Sequence, residues 1–196
     1  MQILLIAGSP SIASRSTRLL EHAGEKLSAL GYAYRLLQVR DLPGQALLQA
    51  DFTDANIQAA KKLVAEANAV LVATPVYKAA YSGALKTFLD LLPQDGLDGK
   101  LALPIATGGS QSHMLALDYA LRPVLSALGA RHILPSIYAT DAQVAWTSER
   151  GLALDTTIAR RVEDGVTQLD ANLKSLRASV ATEFTPIPFS QVRCSV

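Results

Sequence analysis

Five short apolar segments alternate along this chain with longer segments of helical periodicity. The strand-like segments cover residues 2–8, about 33–39, 69–74, 101–107 and 132–139. The helical segments lie near residues 15–30, 54–67, 83–92, 113–128 and 155–177. Because three of the strand-like segments are apolar almost throughout, they are typical of parallel strands covered on both faces. The pattern predicts an α/β fold with a five-stranded parallel sheet and helices on both faces.

Polar loops follow three of the predicted strands, at residues 8–17, 74–78 and 107–110. The carboxyl ends of the strands line the ligand crevice in an open sheet, so the three loops describe a binding site. Of the strand orders that five βα units permit, the flavodoxin-like order 2-1-3-4-5 places the crevice beside the first, third and fourth strands. We predict a flavodoxin-like domain over residues 1–178, followed by an extended tail over residues 179–196.

The composition argues against several partners. The 196 residues are 49% hydrophobic, enough for one well-packed domain. A net charge of +1 provides no field that would attract nucleic acid or an anionic membrane, so we expect neither partner. The single cysteine, Cys194, allows no internal disulfide, and residues 1–8 are too short for a membrane span and lack a basic leader. We expect a cytoplasmic protein.

The first loop carries hydroxyl groups where a helix begins. It has neither the G-x-G-x-x-G pattern of dinucleotide sites nor the G-K-[ST] ending of P-loops, which excludes both designs. Side-chain and backbone donors at a helix start can hold a phosphate monoester, with Arg15 adding charge. The hydroxyls are those of Ser9, Ser14, Ser16 and Thr17. The alternative interpretation is that Ser14 or Ser16 only caps the helix.

The other two loops offer aromatic rings and flexible backbone. Tyr77 and Tyr81 can flank a flat heterocycle, although two half-buried tyrosines are also common in ordinary packing. Gly108 and Gly109 provide N–H groups that can reach a carbonyl or a developing negative charge, although a glycine pair also marks a plain turn.

The second loop and the helix after it, residues 74–87, resemble the flavin-loop motif of the NAD(P)H-dependent FMN reductases, and specifically of the SsuE-type reductases of sulfonate-utilising bacteria. The supporting segments are residues 8–10, 14–16, 106–109 and 118–128. The resemblance extends from residue 8 to about residue 145. One departure is Ser11, because the wider family often carries an arginine right after the Gly-Ser-x stretch. Arg15 is the candidate to supply that charge instead.

The resemblance implies hydride transfer from the nicotinamide of NADPH or NADH to N5 of FMN. The expected cofactor-binding residues are Ser9, Ser14, Arg15, Ser16, Thr17, Pro75, Val76, Tyr77, Lys78, Thr107, Gly108, Gly109 and Ser110. We assign no catalytic side chain and no metal ligand, because the cofactors carry the reaction. In SsuE-type systems reduced FMN leaves the reductase for a flavin-dependent monooxygenase that desulfonates alkanesulfonates. That monooxygenase is the expected partner.

Two other classes are compatible with the sequence. An FMN-bound quinone or azo reductase would keep the flavin and pass electrons to an aromatic acceptor. A flavodoxin-like electron carrier would share the fold and FMN, but such carriers are usually strongly acidic, which a net charge of +1 does not match. No arginine can be assigned to a 2′-phosphate, so the choice between NADPH and NADH is also open.

The helix predicted near residues 113–128 suggests an oligomer and an irregular turn. Its apolar residues surround most of its circumference, so we expect a homo-oligomer, a dimer or a tetramer. Pro123 has no N–H, so the carbonyl of Tyr119 loses its helical partner and the helix must kink or bulge. A π-bulge is one solution, and by the resemblance Tyr119 would then lie at a subunit interface near the flavin and keep FMN exchangeable. A simple proline kink is the alternative.

Overall fold

A seven-stranded sheet forms the centre of the protein in a computed structural model that describes residues 1–147 and 151–181. Its strands are β1 (Gln2–Ala7), β2 (Ala33–Gln38), β3 (Ala69–Tyr77), β4 (Ala80–Tyr81), β5 (Leu101–Gly108), β6 (His132–Ile133) and β7 (Ile137–Thr140). Parallel pairing gives the order β2-β1-β3-β5-β6, with β7 also beside β5. This is the predicted flavodoxin-like order, and the α/β fold class is confirmed.

The predicted count of five strands was wrong, for two local reasons. β4 is an additional strand that pairs antiparallel with the end of β3. The fifth parallel position is divided into β6 and β7 around Pro135, which has no N–H to donate to the ladder. The pairing with β5 shifts by one residue across this break, because Ala102 lies opposite Ile133 whereas Ile105 lies opposite Ile137.

Helices cover both faces of the sheet. They are α1 (Arg15–Ala29), α2 (Gly44–Leu48), α3 (Ala55–Glu66), α4 (Gly83–Leu89), α5 (Arg122–Ala127) and α6 (Thr156–Ala181). Residues of α1 and α6 pack on one face, against Ile3 and Leu5 of β1. Residues of α3, α4 and α5 pack on the other, against Leu4 and Ile6. Because both faces are covered, consecutive residues of β1 are buried, which explains its unbroken apolar sequence.

The sequence analysis also missed helix α2 and a separate hairpin of β8 (Val144–Thr147) and β9 (Gly151–Leu154). Both are too short for a periodic pattern to reveal. Helix α6 extends to Ala181, and the rest of the predicted tail, residues 182–196, lies outside the described residues. Among the helices of the described residues, none has the length and apolar character needed to cross a membrane.

Candidate functional site

The three polar loops meet at one cavity of about 250 Å³ at the carboxyl ends of β1, β3 and β5. Its lining residues are Ser9, Ser11, Ala13, Ser14, Arg15, Pro75, Val76, Tyr77, Thr107, Gly108, Gly109 and Asp141. The structure thus brings together most of the residues expected to bind cofactors. The expected residues outside this lining are Ser16, Thr17, Lys78 and Ser110.

The first loop ends in the N-terminal cap of α1. Ser14 Oγ accepts a hydrogen bond from the Thr17 N–H at 3.1 Å and lies 3.0 Å from Ser16 Oγ. Ser16 and Thr17 are buried beside it, while Arg15 is exposed. Ser14 therefore caps the helix and lines the cavity at the same time. The first-turn N–H groups of α1, which have no partner within the helix, give this end of the cavity a positive potential.

The second loop is a tight hairpin between β3 and β4. Tyr77 pairs with Ala80, so Lys78 and Ala79 form a two-residue turn with φ values of 49° and 63°. Two-residue hairpin turns favour positive φ, but glycine, asparagine or aspartate usually occupies these positions. Neither residue here is one of these, so the turn is strained. It directs the chain back so that Tyr77, 49% exposed, stays on the lining while Lys78 lies outside it.

Ser82, which the sequence analysis did not single out, joins the first two loops. Its Oγ donates to the carbonyl of Gly8 and accepts from the Leu85 N–H at 3.1 Å, which caps α4. Its N–H donates to Thr74 Oγ1 at 2.9 Å. A Cβ added at Gly8 would lie 2.7 Å from Leu85 Cβ, so the glycine is needed for this close approach of α4.

The third loop is held by Tyr138 of β7, a residue that the sequence analysis did not single out. Tyr138 Oη donates to the carbonyl of Ser110 at 2.6 Å. A Cβ added at Gly108 would lie 2.6 Å from Tyr138 Oη. Burial, and secondarily the carboxylate of Asp141, raise the pKa of Tyr138, so the phenol keeps its proton and remains a donor. At Gly109 an added Cβ would meet nothing within 4 Å. This backbone therefore faces open space beside the cavity.

The chemistry of the lining suits a phosphorylated flavin. One end combines the hydroxyls of Ser9 and Ser14 with the start of α1 and with Arg15, the donor set that a phosphate monoester requires. The other end presents Val76 and Tyr77, whose apolar atoms suit a flat ring.

Tyr119 lies in a π-helical turn, Leu117–Leu121, rather than in a simple proline kink. The Arg122 N–H donates to the Leu117 carbonyl, five residues back, and α5 then begins around Pro123. Leu117 and Leu121 are buried, while Tyr119 is 79% exposed. The predicted continuous helix near residues 113–128 is therefore divided into distinct segments.

Comparison with known proteins identifies the family. The sequence model of the NADPH-dependent FMN reductases matches residues 1–145. The chain is 46% identical over 187 residues to an FMN reductase (NADPH) of Pseudomonas putida strain KT2440, covering 95% of this chain and 92% of the relative. It is 49% identical over 144 residues to an FMN reductase (NADPH) of Escherichia coli K12, covering 74% and 75%.

A solved structure agrees with these relatives. The apo form of the NADH:FMN oxidoreductase EmoB superposes with a TM-score of 0.79 at 40% identity, covering 87% of this chain and 89% of that one. The family model and the relatives agree on FMN with a nicotinamide nucleotide as electron donor. The chain therefore belongs to the NADPH-dependent FMN reductase family and is an oxidoreductase that uses FMN with NAD(P)H.

Proposed function

We propose that this protein is the reductase of an SsuE-type two-component system, which takes up FMN, reduces it with NADPH or NADH, and releases it to a flavin-dependent alkanesulfonate monooxygenase. The observation that carries this proposal is the π-helical turn Leu117–Leu121. It packs against β4 and β5, which adjoin the second and third loops, yet leaves Tyr119 exposed. Such turns gather at functional sites, and this one lies where it can influence flavin retention.

The proposed site holds FMN by its two ends. The phosphate binds at the start of α1, where Ser9, Ser14 and Arg15 line the cavity. The backbone N–H groups of Arg15 and Ser16 donate to it, while Thr17 supports the site by donating its own N–H to Ser14 Oγ. When bound, FMN supplies the hydride acceptor of the reaction.

The chain orients and stabilises the flavin ring. Pro75, Val76 and Tyr77 border the ring, and the N–H groups of Gly108 and Gly109 face the negative charge that develops on reduction. Thr107 also lines this end of the cavity, whereas Lys78 and Ser110 act through the turns that contain them.

We further propose a homo-oligomer, a dimer or a tetramer, assembled through the surface around Tyr119. Met114, Leu115 and Tyr119 are all at least 44% exposed although they adjoin the buried Leu117. Large apolar side chains grouped at one surface favour association. Sedimentation at micromolar concentration is expected to show an oligomer, and a stable monomer would refute this part of the proposal.

Flavin exchange is the property that tests the proposed function. Apoprotein is mixed anaerobically with excess FMN and NADPH and then passed through a membrane that retains protein. Reduced FMN is expected in the filtrate and should sustain a separately added alkanesulfonate monooxygenase. Retention of one flavin per subunit, with turnover of a quinone or azo dye in the absence of free FMN, would instead identify the alternative, an FMN-bound quinone or azo reductase.

Variants at the π-helical turn test whether the exchange of FMN depends on Tyr119. Deletion of Tyr119 is expected to give a yellow protein that retains flavin and fails to supply the monooxygenase. Tyr119→Ala keeps the length of the turn and separates the role of the side chain from that of the extra residue. A colourless deletion variant with full transfer would show that Tyr119 has no such role.

A further inference from the structure

A cation from outside the three loops is attached to the first of them. Arg40, just after β2, donates from Nη1 to the carbonyl of Ser11 at 2.5 Å, across 29 residues of sequence. The Arg40 side chain is only 19% exposed. Because Ser11 lines the cavity, the guanidinium lies beside the cavity wall.

The side chains around Arg40 fix the direction of its guanidinium. Arg40 Nη2 donates to Gln38 Oε1 at 2.5 Å, and Nε lies 3.5 Å from Asp41 Oδ1. Gln38 Nε2 donates to Asp41 Oδ2 at 3.2 Å, which closes the network. Asp41 is 64% exposed, so water screens its charge more than that of the mostly buried Arg40. Nη1 is thereby held toward the first loop.

This contact changes the electrostatics of the loop. The oxygen of a free carbonyl would repel an anion in the cavity, and Arg40 occupies the Ser11 carbonyl with a charge-assisted hydrogen bond. Of the arginines at the start of α1, Arg15 lines the cavity, whereas Arg18 lies over the ring of Trp146 at 3.4 Å from its centroid. Arg40 therefore adds a second positive charge beside the first loop.

We propose that Arg40 is a positioning residue for the phosphate of FMN, which holds Ser11 in the anion-binding conformation of the first loop and adds its positive charge to that of Arg15. The inference rests on the proposed placement of the phosphate at the first loop.

Binding of FMN and of phosphate-free riboflavin to the apoprotein tests this role, with flavin fluorescence as the readout. Arg40→Ala is expected to weaken FMN binding roughly tenfold and to change riboflavin binding by less than about twofold. Adding Ser11→Arg to that variant restores FMN binding, because it returns a cation to the loop. The matched control is Arg131→Ala, which removes an 82% exposed arginine from another surface and leaves both affinities unchanged.

Each other outcome overturns a distinct claim. If Arg40→Ala leaves the affinities for both FMN and riboflavin unchanged, the role of Arg40 is wrong while the phosphate placement stands. If Arg40→Ala weakens the binding of FMN and of riboflavin by the same factor, Arg40 has a purely structural role. A wild type that binds both ligands equally overturns the phosphate placement and this inference with it. If Arg40→Ala does not fold, Arg40→Gln, which keeps a donor without charge, is expected to show the same selective loss of FMN.

Discussion

Ser82 Oγ donates a hydrogen bond to the carbonyl of Gly8, across 74 residues of sequence. The bond connects the cap of α4 to the first loop, just where β1 ends. The same serine N–H reaches Thr74 Oγ1, so one buried residue fixes the relative position of the two loops. The shape of the cavity therefore depends on a side chain that does not line it.

Ser82→Ala is expected to lower the free energy of unfolding by about 1–3 kcal/mol, because it removes a helix cap and leaves a buried carbonyl without its donor. Urea denaturation measures this change. Ser28→Ala, at an exposed serine of α1, is the control and should stay within about 0.5 kcal/mol of the wild type. Equal stability of the two variants would show that the bond to Gly8 does not hold the loops together.

Replacing both Arg15 and Ser16 by alanine is expected to weaken FMN binding by about 1.5–3 kcal/mol per lost charge-assisted contact. Binding of lumiflavin, which has no phosphate, should be preserved. Titration calorimetry with both ligands makes the comparison, and Arg160→Ala on the exposed side of α6 controls for the loss of a surface charge. An equal loss of affinity for the two ligands would contradict a phosphate site at α1.

Tyr138 gives the protein an alkaline limit of stability. Burial raises the pKa of Tyr138 above the usual value for tyrosine. The contribution of Tyr138 to the free energy of unfolding is therefore complete below about pH 10, and it is lost as the pH rises through the higher pKa of the folded state. The stability difference between the wild type and Tyr138→Phe should therefore shrink in that window. Denaturation of the apoprotein at a series of pH values measures it, with Tyr77→Phe, at a 49% exposed tyrosine, as control. A difference that is independent of pH would contradict the buried donor.

Ala79→Gly is expected to raise the free energy of unfolding by about 0.5–1 kcal/mol, because glycine adopts the φ of 63° without steric cost. Ala59→Gly is the control, at an exposed position inside α3, and it is expected to lower the free energy of unfolding by about 1 kcal/mol. Thermal unfolding of the two variants compares them. Destabilisation by Ala79→Gly would mean that the turn is not strained.

Local patterns predicted the fold well because the sheet is covered on both faces. Residues such as Ile3 and Leu4 are buried on opposite sides of β1, as is typical of a parallel sheet between helices. Gly31 and Gly129, just after the ends of α1 and α5, have φ values of 88° and 89°, a conformation that favours glycine at helix ends. The division of the fifth strand at Pro135 was not predicted, because the apolar segment at residues 132–139 continues on both sides of the proline.

The loops of the site could be predicted from sequence, but their supports could not. The supporting contacts join residues far apart in the chain, as Tyr138 does with Ser110 and Arg40 does with Ser11. Local sequence periodicity cannot predict such a contact, because it contains no information on which distant residue a side chain at a strand end or in a turn will meet. The Lys78 turn was missed for a different reason, since it has none of the residues that usually mark a two-residue hairpin.

The position of the FMN phosphorus in a crystal of the complex is the most direct measurement of the central claim, that the first loop and the start of α1 hold the phosphate. The account predicts phosphate oxygens within hydrogen-bonding distance of the backbone N–H groups of Arg15 and Ser16, with the ring beside Val76 and Tyr77. A phosphate bound at Gly109 and Ser110, with the ring toward α1, would contradict it.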